Sequence, residues 1–131
     1  MDQKIKPDQE LPKELYDVAR GGGTEPAFKG KYWDEHGKGI YKCAICGTEL
    51  FSSDTKFNSG TGWPSFTEPM NLEKIELRPD RTDGMNRMEV VCKTCGAHLG
   101  HVFDDGPENM GGKRFCINSV CLDMEKNGEE K

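Results

Sequence analysis

Met88-Glu89-Val90-Val91-Cys92-Lys93-Thr94-Cys95-Gly96-Ala97-His98-Leu99-Gly100-His101-Val102-Phe103 reads as one strand, a Cys-x-x-Cys-Gly knuckle, and a second strand of the same hairpin. An echo lies upstream. Ile40-Tyr41-Lys42 leads into Cys43-Ala44-Ile45-Cys46-Gly47, and Thr48 to Phe51 forms the returning strand. Two hairpins with the same punctuation make the chain mainly β. Between them lie the aromatic turn Gly60-Thr61-Gly62-Trp63-Pro64-Ser65-Phe66 and the charged stretch Leu77 to Arg87, which reads as strand, turn at Asp83-Gly84, strand.

Cys43, Cys46, Cys92 and Cys95 together fit one tetrahedral four-cysteine zinc site. Such a site leaves no position for water or substrate, so the metal is expected to be structural. The insert between knuckles, 47–91, far exceeds the roughly 15–20 residues of an ordinary zinc ribbon. The metal is therefore expected to pin two distant hairpins of one domain together. The competing redox reading of Cys-x-x-Cys needs the motif to open a helix in a βαβ unit, and neither copy does so.

A chain of 131 residues can bury one sizeable core, and 16 Gly and 7 Pro scattered along it fit a turn-rich fold. The net charge of -5 argues against nucleic acid or an anionic membrane as the partner. No apolar run is long enough to span a bilayer, and Met1-Asp2-Gln3-Lys4 lacks the apolar centre of a secretory signal. A cytoplasmic location is expected. In a reducing compartment, paired cysteines bind metal more often than they form disulfides.

Residues 1–10 are expected to be a flexible segment, 11–124 a single domain and 125–131 a charged flexible tail. Leu11 to Arg20 predicts a short helix, with Pro12 at its first position, an apolar stripe of Leu15, Val18 and Ala19, and Gly21-Gly22-Gly23 as its stop. The three glycines have neither a preceding strand nor a following Gly-Lys-Ser, so they are a turn rather than a phosphate cradle.

Arg114-Phe115-Cys116-Ile117-Asn118-Ser119 alternates polar and apolar residues. An extended strand then puts Arg114, Cys116 and Asn118 on one face and Phe115 and Ile117 in the core. A cation two positions away on the same face lowers a thiol's pKa, and thiolate is the reactive form. His98 and His101 can move protons near neutral pH, and the acidic Asp104-Asp105 is the carboxylate expected to fix a tautomer. Either histidine could instead replace a cysteine on the metal, although four cysteines already complete that site. His36, in a charged turn, is expected to be exposed. Trp63 is either a core tryptophan or the wall of a pocket for a methyl or thioether group.

Gly-Thr-Gly-Trp-Pro-Ser-Phe at 60–66, Gly-Ala-His-Leu-Gly-His-Val-Phe-Asp-Asp-Gly-Pro at 96–107 and Arg-Phe-Cys-Ile-Asn-Ser at 114–119 closely resemble the B-type peptide-methionine (R)-S-oxide reductases. The similarity runs from about Leu15 to Asp123. It implies a β-tent of two antiparallel sheets with structural Zn2+ at both knuckles. It implies that Cys116 attacks the sulfoxide sulfur and becomes a sulfenic acid, while His98 and His101 bind and protonate the oxygen. Arg114, Asn118 and Asp105 match the family's polar support, and Trp63 with Phe66 its substrate-contacting loop. The implied substrate is methionine-R-sulfoxide in oxidised proteins, the implied reductant thioredoxin or another thiol, and a monomer is expected.

Many relatives carry a resolving cysteine at the position occupied here by Thr61. Cys121 is then the only other free cysteine. On a regular strand it lies roughly 16 Å from Cys116 and points the other way, a buried structural thiol. The alternative is that the segment opens after oxidation and Cys121 resolves. The rival class is a non-enzymatic zinc-stabilised β-domain binding a ligand or protein through a Trp63-lined pocket. Such a module has no need of the Arg114-Cys116-Asn118 face or the histidine pair.

Overall fold

The computed structural model describes residues 5–81 and 86–126. Along them run α1 (Lys13–Ala19), β1 (Gly39–Cys43), β2 (Glu49–Ser52), β3 (Lys56–Phe57), β4 (Ser65–Phe66), β5 (Ile75–Asp80), β6 (Arg87–Cys92), β7 (His98–Phe103), β8 (Arg114–Ile117) and β9 (Leu122–Lys126). Two antiparallel sheets result, one ordered β2-β1-β9 and the other β3-β4-β8-β7-β6-β5. The mainly β architecture with one short α-helix is the one the paired hairpins imply. No helix among the described residues is long and apolar enough to cross a membrane.

The sheets face each other across an aromatic core. Period-two alternation sends Tyr41 and Phe51 inward from the smaller sheet and Phe66, Phe115 and Ile117 inward from the larger, and Leu50 and Leu99, each the extra residue at a register shift, join them in the core. Phe51 stacks on Phe66 with ring centroids 4.5 Å apart, and Tyr41 meets Phe66 edge-on at 5.2 Å. Burying each such side chain stabilises the fold by about 1.5–3 kcal/mol before conformational entropy is charged against it.

α1 is shorter than the Leu11–Arg20 span its stripe predicts. Pro12 is extended (φ -57°, ψ 152°), so it caps the helix and Lys13 is the first helical residue. Leu15, Val18 and Ala19 are buried as expected. Past the helix, Arg20 donates from Nη1 to the Cys95 carbonyl at 2.8 Å, tying α1 to the second knuckle.

The two knuckles repeat each other bond for bond. Gly47 N–H donates to Cys43 O at 2.8 Å and Cys43 N–H to Thr48 O at 2.8 Å; Gly96 N–H donates to Cys92 O at 2.7 Å and Cys92 N–H to Ala97 O at 2.9 Å. Both glycines take a positive φ, +80° and +78°, which an L side chain adopts only with strain.

The path of the chain after β8 differs from a regular strand running on to Cys121. β8 does not continue to Leu122: it ends at Ile117, a 3-10 turn spans Ser119–Cys121, and β9 then pairs with β1 in the other sheet. Glu125 and Lys126, expected to open a charged tail, pair with Ile40 and Gly39. In the N-terminal segment expected to be flexible, Lys6 N–H donates to Ile45 O at 3.0 Å and Asp8 pairs with Arg20 at 3.1 Å. The remainder of the tail (127–131), residues 1–4 and the Asp83-Gly84 turn lie outside the described residues.

Candidate active site

Four of the six cysteines are gathered at the junction of the two sheets. Cys43 and Cys46 close the β1–β2 hairpin, and Cys92 and Cys95 the β6–β7 hairpin. Their sulfurs all lie within 4.8 Å of one another, with Cys43–Cys95 at 3.7 Å and Cys46–Cys92 at 3.6 Å. A tetrahedron of thiolates around a metal bonded at about 2.3 Å has edges of about 3.8 Å, so these residues fit a bound metal ion. The Thr48 hydroxyl lies 3.1 Å from Cys46 Sγ and donates to Thr94 Oγ1 at 3.1 Å, which ties the first knuckle to the second. Neither His98 nor His101 belongs to the cluster.

Cys116 stands apart from it. Antiparallel register places Ser65 on β4 and His101 on β7 directly opposite Cys116 on β8, so the three side chains share one face of the larger sheet. Phe115 and Ile117 point the other way and are buried. The shared face opens into a cavity of about 210 Å³ lined by, among others, Thr61, Trp63, His101, Arg114, Cys116 and Asn118. Arg114, Cys116 and Asn118 therefore meet one cavity, as their alternation predicts.

A β-bulge explains how two histidines three residues apart come together. On a regular strand, residues 98 and 101 point to opposite faces. Here the β6–β7 register shifts between Val90 and Val91, leaving Leu99 as the extra residue of β7. Leu99 goes fully into the core, and the His98 and His101 rings meet edge-on with centroids 5.3 Å apart. His98 does not itself line the cavity. It stands behind His101, and its Nε2 is buried without a hydrogen-bond partner.

The carboxylates on these histidines are not Asp104 and Asp105. Asp80 Oδ2 lies 2.7 Å from His101 Nε2, and Glu89 Oε2 lies 2.7 Å from His98 Nδ1. β7 ends at Phe103, so Asp104-Asp105 falls beyond the strand and turns away. Asp105 instead holds Arg114 with two bonds of 2.8 and 3.1 Å, and Asp104 pairs with Lys113. Sequence reasoning missed Asp80 and Glu89 because only strand register brings β5 and β6 acids beside β7 histidines.

Electrostatics also depart from the sequence expectation. Burial pushes the Cys116 thiol above its ordinary range, outweighing the lowering by Arg114 and by the Thr61 hydroxyl. Arg114 is neutralised by Asp105, and its guanidinium stacks 4.4 Å from the centroid of Phe103. Burial likewise holds His101 below the usual imidazole range, although its bond to Asp80 pulls the other way.

Trp63 lines the cavity, and its indole N–H donates to the Glu25 carbonyl at 2.9 Å. Phe66 does not line it. β4 pairs Ser65 with Cys116 and Phe66 with Phe115, so Phe66 faces the core and is fully buried there. Cys121 is also buried, and its Sγ donates to the His98 carbonyl at 3.3 Å. His36 is exposed and pairs with Asp34 at 2.9 Å. Glu25, a buried carboxylate 93–95 residues from its partners, had no spacing signal to reveal it.

The SelR domain model matches residues 11–126. A peptide methionine sulfoxide reductase MsrB of Burkholderia ambifaria is 51% identical over 130 residues, covering 96% of this chain and 91% of that protein. The MsrB of Methanosarcina barkeri is 53% identical over 126 residues, with 92% and 88% covered. That of Acinetobacter baumannii is 53% identical over 125 residues, with 93% and 89% covered.

Proposed function

We propose, from the premise that this chain belongs to the SelR-domain family and is a peptide methionine sulfoxide reductase, that Cys116 is its nucleophile and the R epimer its substrate. The observation that carries the reading is the separation of the cysteines. Four share the metal cluster and one is buried, whereas Cys116 sits in a cavity between an indole and an imidazole.

The chemistry balances without an added acid. At rest Cys116 carries a proton, because burial raises its pKa. Its sulfur attacks the sulfoxide sulfur, whose bond to oxygen breaks. The thiol's proton ends on that oxygen, which passes to the Cys116 sulfur as the transient bond between the two sulfurs breaks, and the products are methionine and a Cys116 sulfenic acid. His101, opposite Cys116, is placed to relay the proton. With Asp80 accepting from Nε2–H, Nδ1 is left to take a proton and return it. His98 braces His101 from behind, its own ring held by Glu89 Oε2 at 2.7 Å from Nδ1. Asn118 and Arg114 frame the nucleophile, with Asp105 orienting Arg114.

Epimer choice follows from three unlike walls. Sulfur must meet Cys116, methyl the Trp63 ring and oxygen the polar His101 side, so exchanging methyl and oxygen puts each against the wrong surface. A cavity of about 210 Å³ holds the end of one side chain, which favours a methionine sulfoxide carried on another protein.

Regeneration falls to an external thiol, thioredoxin or another. Two reductant thiols convert the sulfenic acid to thiol and water and leave as a disulfide. Thr61 supplies no sulfur, and the 3-10 turn directs Cys121 towards the His98 carbonyl rather than the cavity. The four-cysteine site is read as structural Zn2+, supported by the sulfur separations and the all-thiolate donor set. The workplace is read as the cytoplasm and the protein as a monomer.

Kinetics with separated epimers test the reading. Turnover of peptide methionine-R-sulfoxide but not the S epimer, lost in Cys116→Ser, is expected; activity that survives Cys116→Ser overturns it. Mass spectrometry after one turnover without reductant should find sulfenic acid at Cys116, whereas a Cys116–Cys121 disulfide would assign the resolving role to Cys121.

A further inference from the structure

Glu25 makes four hydrogen bonds to the two flanks of the proposed nucleophile. Its N–H donates to Asn118 Oδ1 at 3.0 Å, and its carbonyl accepts from Trp63 Nε1 at 2.9 Å. Its carboxylate accepts from Ser119 N–H at 2.8 Å and Val120 N–H at 2.9 Å. The residue is 9% exposed and forms no ion pair among the described residues. Gly30 seals it: a Cβ there would lie 2.2 Å from Glu25 Oε2 and 2.5 Å from Ser119 Oγ.

Asn118 shows what the carboxylate does. It occupies the cap position of the 3-10 turn Ser119–Cys121, where an asparagine side chain ordinarily accepts from the first free N–H groups. Here it makes no such bond, because its amide is spent on Glu25 N–H and the Leu99 carbonyl. Glu25 reaches in from another segment and caps the turn instead. The Asn118 side chain is thereby released to stand beside Cys116, and the same anchored backbone holds the indole on the other side.

We infer that Glu25 is a positioning residue for the reaction at Cys116, fixing Trp63 and Asn118 about the thiol by capping the Ser119–Cys121 turn in place of Asn118. The inference rests on the reading of Cys116 as nucleophile. Its negative charge also opposes thiolate formation at Cys116, which gives a second readout.

The test is Glu25→Gln in the full-length, metal-loaded protein. The amide keeps the shape but can accept from only one of the two N–H groups. KM for peptide methionine-R-sulfoxide is expected to rise about tenfold, the effect of one lost hydrogen bond to a charged group, with kcat changed less. The pH profile of Cys116 alkylation is expected to move to lower pH. A folded Glu25→Gln protein with wild-type KM and profile overturns the inference. Should Glu25→Gln not fold, Glu25→Asp keeps the charge on a shorter arm; a raised KM supports the inference and an unchanged KM overturns it.

Binding separates this test from the nucleophile reading. In a Trp33→Phe background, quenching of Trp63 fluorescence by dimethyl sulfoxide is measured on Cys116→Ser, with and without Glu25→Gln. Weaker quenching with Glu25→Gln supports positioning and equal quenching overturns it, whether or not Cys116→Ser has lost activity.

Discussion

His101 and Cys116 stand directly opposite one another on the antiparallel strands β7 and β8, an imidazole and a thiol on one face of the sheet. Neither is charged at rest. Burial pushes the thiol up and the imidazole down, so the pair favours the neutral thiol and neutral imidazole over the thiolate–imidazolium ion pair.

The first prediction concerns that proton. Because the folded state raises the Cys116 pKa, thiolate is scarce at neutral pH, and alkylation by iodoacetamide should keep rising beyond the ordinary thiol pKa of about 8.5. The same shift means that this thiol's contribution to stability is full below the unfolded pKa and fades as pH climbs through the folded one. Asp105→Asn leaves Arg114 without its neutralising carboxylate, so the cation acts more strongly on sulfur and the profile should move to lower pH. Alkylation followed by mass spectrometry across pH reads both, and an unmoved profile would remove Arg114 from the electrostatics of the thiol.

A second prediction follows from Asp80. Its carboxylate 2.7 Å from His101 Nε2 orients the ring and opposes the burial that lowers its pKa. Asp80→Asn should reduce kcat by about one to two orders of magnitude, within what a positioned acid–base group contributes, while KM moves less. Steady-state kinetics on peptide methionine-R-sulfoxide decide it; an unchanged kcat would exclude His101 as the relay.

Much of this site was legible in the sequence wherever the determining interaction is local. The knuckles repeat one Cys-x-x-Cys-Gly motif, and the period-two face of β8 needs only Arg114 to Asn118. What escaped depends on register and depth. Asp80 and Glu89 meet the histidines only once β5, β6 and β7 are paired, and the histidines share a face only because Leu99 bulges out of step. The sign of the Cys116 shift was misread for the same reason: a cation two residues away is visible in a sequence, but burial is not. Phe66 was drawn into the substrate pocket by its place in the same loop as Trp63, although on β4 it is Ser65 that faces Cys116 and the adjacent Phe66 that turns to the core.

That distinction yields a third prediction. Phe66 stacks on Phe51 and touches Tyr41 in the core, whereas Trp63 lines the cavity. Phe66→Leu should therefore lower unfolding free energy by about 1–3 kcal/mol and leave KM unchanged. Trp63→Ala should do the reverse in emphasis, raising KM with a smaller loss of stability. Denaturant unfolding and kinetics on both variants separate the roles, and a KM raised by Phe66→Leu with no loss of stability would return Phe66 to the pocket.

The fourth prediction joins the metal cluster to the sheets it links. Cys43 and Cys46 belong to the smaller sheet's hairpin and Cys92 and Cys95 to the larger sheet's, so an ion bound there would tie together the two layers that enclose the core. Four thiolate ligands must compete with four protons, so release should be favoured by acid. Purified protein should contain about one zinc per chain, and a strong chelator at mildly acidic pH should lower the unfolding midpoint by about 10 °C or more. Cys95→Ala, which removes the most exposed ligand, should do the same without chelator. Because the four cysteines lie outside the Cys116 cavity, activity should disappear with the folded fraction rather than ahead of it. Circular dichroism melts, metal analysis and residual turnover on one set of samples make the comparison. Metal-free protein that melts at the holo temperature would show that aromatic packing alone holds the sheets together.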